Sequence, residues 1–113
     1  MRTEPEFVIV MTTAGSDEQA TELARALVER RLAACVNVVS QVCSIYRWKE
    51  KVQQDDEKLL VVKTAAHLFP AIRDAIRELH SYELPEVTMV PLTGGDSDYL
   101  EWLRSCLAEP DSD

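Results

Sequence analysis

Hydrophobic positions along this chain recur with two different periods, and the switches between them set the expected order of elements. Phe7-Val-Ile-Val-Met11 is an unbroken apolar run, suited to a strand buried on both faces. Ser16-Asp-Glu-Gln19 reads as a capping box, with acids in the first turn of a helix. That helix keeps Ala20, Leu23, Ala24, Leu27, Val28 and Arg31 on one stripe, and Glu18, Glu22, Arg25 and Glu29 on a solvated side. Leu32 to Cys35 leads into a β-rich arm, Val36 to Trp48, built from Val, Ile, Tyr and Trp with no Gly or Pro. A polar middle, Lys49 to Glu57, separates it from a return arm centred on Leu59-Leu-Val-Val62. With no helical segment between them, the arms are expected to pair as an antiparallel hairpin.

Leu68, Phe69, Ile72, Ile76 and Leu79 mark a second amphipathic helix, with Pro70 near its start, where a missing N–H costs little. His80 to Pro85 breaks the period and serves as a connector. Val87 to Leu92 is the fourth expected strand, and Pro91 places it at an edge or a strand end. Gly94-Gly95 forms a turn. Asp96 or Ser97 then caps a last helix bearing Leu100, Leu103 and Leu107, with Trp102 and Cys106 beside them. Residues 109–113 read as a frayed tail. The order β-α-β-β-α-β with an appended helix predicts one α+β domain over residues 1–113. Its expected form is a ferredoxin-like sandwich, both helices on one face of a four-stranded antiparallel sheet.

The long arm changes this picture. A strand from Val36 to Val52 spans about 55 Å, whereas a compact domain of this length is about 35 Å across. The arm must bend or project. Its apolar groups alternate onto both faces, Val38, Val42, Tyr46 and Trp48 on one and Val39, Cys43 and Ile45 on the other. An uncovered ribbon of that kind aggregates. The simplest cover is a second copy of the chain, which makes a homo-oligomer with any site between subunits the expectation. Tyr46, Trp48 and Trp102, large and amphipathic, suit such an interface, as do Val42 and Ile45.

Composition narrows the function. A net charge of −8 disfavours nucleic acid, whose phosphates need clustered Lys and Arg. An acidic surface concentrates cations without selecting one. Residues 1–6 are polar and no apolar h-region of leader length follows them, unlike a secretory leader, and runs such as Phe7–Met11 are far too short for a membrane span. Cys35, Cys43 and Cys106 are odd in number and lack CxxC spacing, which fits a reducing, cytoplasmic setting.

The candidate chemistry is sparse. His80 is a candidate metal ligand, but with no second ligand at metal-binding spacing it reads first, within one subunit, as a helix-terminal imidazole bonding the last carbonyls. Asp55-Asp56-Glu57 lacks the spacing of a calcium loop and reads as a solvated turn. Lys63 is expected close to the connector holding Tyr82 and Glu83. Together with Trp48 and Glu86 these residues form either a structural tie or a polar intersubunit cleft. Thr12-Thr-Ala-Gly15 offers amides at a helix N-terminus, a weak anion site. The sequence contains no Ser-His-Asp set, oriented Cys-His pair or P-loop, and the first strand and its loop supply no Arg for an acylphosphatase-like cradle. A non-enzymatic protein is expected.

Five blocks in order carry a resemblance: Arg31-Leu-Ala-Ala-Cys35-Val-Asn37, Ser44-Ile-Tyr46-Arg-Trp48, Leu60-Val-Val-Lys63-Thr64, His80-Ser-Tyr82-Glu83-Leu-Pro85-Glu86 and Tyr99-Leu-Glu-Trp102-Leu. Over nearly its whole length the chain resembles the CutA family of divalent-cation tolerance proteins. The resemblance implies a tight homotrimer joined through the long hairpin, cytoplasmic, similar in architecture to the PII signalling trimers, and linked to tolerance of copper and other divalent cations. It also implies Cu2+ or another divalent cation as a ligand. The alternative is a PII-like regulatory module holding a small metabolite or partner protein in its intersubunit cleft. Three positions depart from the family pattern. Ser81 replaces a Pro. Glu50 replaces a Gly at the hairpin turn, where positive φ brings strain or the turn shifts by a residue. Thr12 and Leu79 stand where copper-binding members are credited with a Cys and the first His of a pair, leaving His80 alone.

Overall fold

A computed structural model describes residues 5–110. The elements follow in the order β1 (Phe7–Ala14), α1 (Asp17–Glu29), β2 (Cys35–Trp48), β3 (Lys51–Ala65), a 3-10 turn (Ala66–Leu68), α2 (Phe69–Leu79), β4 (Thr88–Pro91) and α3 (Ser97–Cys106). The sheet is antiparallel with strand order β2-β3-β1-β4. β4 is short and lies at the edge, where Pro91 ends it and needs no ladder donor.

One face of the sheet is the core face. Val8 pairs with Thr64, Val10 with Val62 and Thr12 with Leu60, and every one of these side chains is buried. Leu23 and Leu27 of α1, Ile72 and Ile76 of α2 and Leu103 of α3 complete the same core without exposure to water. The alternate positions point to the other face, which α1 and α2 leave uncovered; at one end of it Phe7 and Ala65 are buried, with the Arg104 guanidinium of α3 5.2 Å from the Phe7 ring centre. Ile9, Met11, Leu59, Val61 and Lys63 are only half-buried there. In the single chain, β1 beyond Phe7 is therefore buried on one face rather than two.

Several expected details shift. The polar middle is not a loop. The hairpin closes on two residues, Lys49 and Glu50, with Trp48 opposite Lys51, so the acidic run expected as a turn lies inside β3. Both turn residues have positive φ, 50° and 69°, the signature of a type I′ turn. Glu50 takes up the strain and the turn does not slip.

β2 carries a bulge between Val39 and Val42. The extra residue exchanges the faces of everything beyond it. Val42, Tyr46 and Trp48 therefore share the helix-free side with Val39, while Cys43 and Ile45 share a side with Val38, opposite to strict alternation. The hairpin reaches beyond the core. The molecule measures 43 × 32 × 30 Å with a radius of gyration of 14.9 Å, above the value of about 13 Å for a compact domain of this size.

α1 ends at Glu29, two residues before the Arg31 that its stripe included. Leu32 N–H bonds Leu27 O at 2.9 Å and Arg31 N–H bonds Val28 O at 3.1 Å, a Schellman closure with Arg31 left-handed at φ 60°. Arg31 and Val28 are consequently exposed. α2 begins at Phe69, Leu68 belonging to the preceding 3-10 turn. Asp96 caps α3 by accepting from Tyr99 N–H at 3.0 Å. Glu109 and Pro110 are exposed without regular structure; the rest of the expected tail, 111–113, and the polar start, 1–4, lie outside the described residues.

Candidate functional site

At the end of the sheet where β1 finishes, the connector after α2 folds back against β1 and β3. His80 leaves the helix with φ −79° and ψ 142°, which turns its ring toward β1. Its Nε2 lies 2.6 Å from Thr13 O, and Tyr82 N–H donates to its Nδ1 at 3.1 Å. An imidazole that accepts at Nδ1 and faces a carbonyl at Nε2 is the neutral, Nε2-protonated tautomer. Both nitrogens are thus engaged, and neither bond goes to the last carbonyls of α2.

That task falls to Gln19. Its amide donates to Leu79 O at 3.3 Å and accepts from Ser81 N–H at 3.0 Å, joining α1 to the connector. The capping box expected at this point is therefore only half made. Ser16 Oγ accepts from Gln19 N–H at 3.1 Å, while the Gln19 side chain is used elsewhere.

The Tyr82 ring packs against His80 with centroids 4.5 Å apart. Its hydroxyl donates to Glu57 Oε2 at 2.7 Å. Glu57 is buried, although its neighbours Asp55 and Asp56 are exposed. Burial, followed by the bond to Glu57, pushes the Tyr82 phenol well above its ordinary range. A Cβ on Gly15 would stand 3.0 Å from that phenol oxygen, so the close approach needs a residue without one. Two residues further along β3, the exposed Tyr46 hydroxyl donates to Asp55, and that bond raises the Tyr46 phenol. Two phenol–carboxylate pairs thus line the helix-free side of the hairpin.

The residues singled out by sequence do not all meet. Lys63 lies between Ile9 and Cys35, six residues along β3 from Glu57 or about 20 Å; it is not beside the connector. Trp48 stands at the hairpin tip with the Lys49 ammonium 5.6 Å from its ring centre. Glu86 accepts from Thr88 Oγ1 at 3.0 Å, and Glu83 is exposed. Of the expected interface residues, Ile45, Tyr46 and Trp102 are exposed and Val42 and Trp48 half-buried in the single chain. Glu57, Gln19 and Gly15 were missed. Extending the period-2 pattern of β3 back through Glu57 was the one signal that could have found the first.

The proposed copper positions do not converge. Thr12 is completely buried on the core face opposite Leu60, its hydroxyl without a partner. Leu79 is apolar, and the single lone pair of His80 is taken by Tyr82 N–H. Among the described residues no group of three His, Cys, Asp or Glu side chains stands close enough to hold a metal ion. The N-terminus of α1 opens onto a groove lined by Glu18 and Glu22, whose charges oppose an anion.

Comparisons with known proteins agree with one another. A family model described as "CutA1 divalent ion tolerance protein" matches residues 8–106. The divalent-cation tolerance protein CutA of Thermus thermophilus is 48% identical over 96 residues, which cover 85% of this chain and 93% of that one. Human protein CutA is 47% identical over 92 residues, 81% of this chain but 51% of its own length. The chain thus spans about half the length of that relative. The crystal structure of CutA1 from Oryza sativa superposes with a TM-score of 0.90 at 38% identity, covering 96% of this chain and 99% of that one.

Proposed function

This chain belongs to the CutA1 divalent ion tolerance family, and we propose that it serves tolerance of divalent cations, copper among them. It does so as a homotrimer of ferredoxin-like subunits in the cytoplasm, without catalysing a reaction. The observation that carries this reading is the family match across residues 8–106, with relatives named for cation tolerance. The strand order β2-β3-β1-β4 supports the ferredoxin-like description. The half-exposed helix-free face and the projecting hairpin support the oligomer. Commitment of His80 to Thr13 O and Tyr82 N–H, and of the Tyr82 hydroxyl to Glu57, supports a structural rather than catalytic use of these groups.

Because the His80 nitrogens are engaged and no group of three ligating side chains stands together among the described residues of one chain, copper contact by the trimer draws on side chains from more than one subunit. Two experiments test the reading. A strain lacking its own copy of this protein is expected to grow poorly in copper and to be rescued by this chain; equal growth without it overturns the tolerance role. Calorimetric titration of copper into the chelator-treated trimer then separates direct binding from an indirect role.

A second reading is favoured by the Tyr82–Glu57 pair, a polar feature beside the face where copies meet. It makes the cleft between subunits a small-metabolite site. A thermal-shift screen with nucleotides and organic acids distinguishes it, since a ligand of the folded state raises the melting temperature by mass action.

A further inference from the structure

Lys63 stands in the middle of the sheet face that the helices leave open. Ile9 and Cys35 are its cross-strand neighbours, and Met11 and Val61 lie one pleat along. It is half-buried, and among the described residues its ammonium makes no ion pair. A carboxylate at the rim of the same face also lacks a cation among the described residues. Glu86 is held by Thr88 Oγ1, and Thr88 stands opposite Met11 on this side of the sheet. Two carboxylates of β3 on this side are engaged, Glu57 beneath Tyr82 and Asp55 by Tyr46.

Lys63 and Glu86 do not meet within one chain. Thr88 is two strand spacings across and two residues along from Lys63, about 12 Å, and Glu86 lies beyond it. Covering this apolar face with a second copy takes the ammonium out of water, which is strongly unfavourable unless a counter-charge comes with the cover. We infer that Lys63 of one copy pairs with Glu86 of the next, fixing how the helix-free faces register on one another. The face supplies both halves of the pair, so identical copies are complementary to each other. Apolar area drives the association, and the charges orient it. This rests on the homotrimer reading above.

Sedimentation equilibrium of the full chain tests it, using wild type, Lys63→Glu, Glu86→Lys, the double exchange, and Glu83→Lys as a control on the same connector. Each single reversal at Lys63 or Glu86 is expected to weaken assembly about tenfold or more. The double exchange is expected to recover most of that loss, and the control to match wild type. A double no better than the weaker single, or a control as damaging as Glu86→Lys, overturns the pair. If circular dichroism shows that Lys63→Glu does not fold, Lys63→Gln and Glu86→Gln provide the same cycle. Non-additive losses then support the pair and additive ones overturn it. A wild-type chain that sediments as 12.8 kDa at every concentration overturns the oligomer itself, a separate result.

Discussion

The Tyr82 hydroxyl donates to Glu57 Oε2 at 2.7 Å, and this bond ties the connector after α2 to the middle of β3. Replacing Tyr82 with Phe leaves a buried carboxylate without its donor. The expected loss is about 1–2 kcal/mol of unfolding free energy at neutral pH, read from urea denaturation.

The same bond gives an alkaline limb to stability. The folded-state phenol is raised above its unfolded value of about 10. The folded chain therefore holds its proton where the unfolded chain has released it. The contribution is full below about pH 10 and is lost as pH rises toward the folded value. Wild type is expected to lose stability more steeply above pH 10 than Tyr82→Phe. Equal slopes show that the phenol is not the titrating group.

Gly15 makes room for that phenol. A methyl group there stands 3.0 Å from the Tyr82 hydroxyl oxygen, so Gly15→Ala is expected to displace the ring and weaken its bond to Glu57. The two substitutions act on one contact. Their combined cost should therefore fall short of the sum by about 0.5 kcal/mol or more in a double-mutant cycle. Full additivity separates Gly15 from Tyr82.

Element order could be read from the sequence because each element declares itself locally. Period changes mark the helices, Pro91 marks the edge strand, and Asp96 marks the start of α3. The antiparallel hairpin could be read as well, but not its turn or its bulge. Its turn holds Lys49 and Glu50 in place of the Asn-Gly that betrays a type I′ turn, and Ser40 and Gln41 at the bulge carry no pattern that announces an extra residue. Both features decide which side chains share a face, so faces beyond Val39 were inverted. His80 and Tyr82 stand out in the sequence as aromatic groups in a connector. Glu57 does not, because an acid within an acidic run looks solvated until the register places it under Tyr82. Lys63 was misplaced for a related reason: its distance from the connector follows from strand pairing, which no local motif contains.

His80 is an architectural group rather than a free ligand. His80→Ala strands Thr13 O and Tyr82 N–H, and it is expected to lower stability by about 1–3 kcal/mol. Any copper binding by wild type is expected to survive the substitution. Calorimetric titration of both proteins with copper checks this, and loss of a wild-type binding signal in the variant shows that the ring leaves its hydrogen bonds to meet the metal.

Thr12 carries a hydroxyl that is buried, without a partner among the described residues, and surrounded by the core. Valine has nearly the same shape without the polar atom. Thr12→Val is therefore expected to be neutral or to stabilise by about 1 kcal/mol, the opposite sign to most core substitutions. A clear loss in urea denaturation means that the hydroxyl has a partner in solution.

The hairpin turn holds the last test. Lys49 and Glu50 both sit in the left-handed region, at φ 50° and 69°, where a side chain costs about 1–2 kcal/mol and glycine costs nothing. Glycine also widens the unfolded ensemble, which offsets part of the gain. The turn is exposed in the single chain, and among the described residues the Glu50 side chain makes no hydrogen bond or ion pair, only its backbone oxygen accepting from Arg47. Glu50→Gly is expected to raise unfolding free energy by about 0.5–1 kcal/mol. Glu50→Val, β-branched at the same angle, is expected to lower it. Urea midpoints that move in the same direction for both variants show that the turn in solution does not hold the left-handed pair.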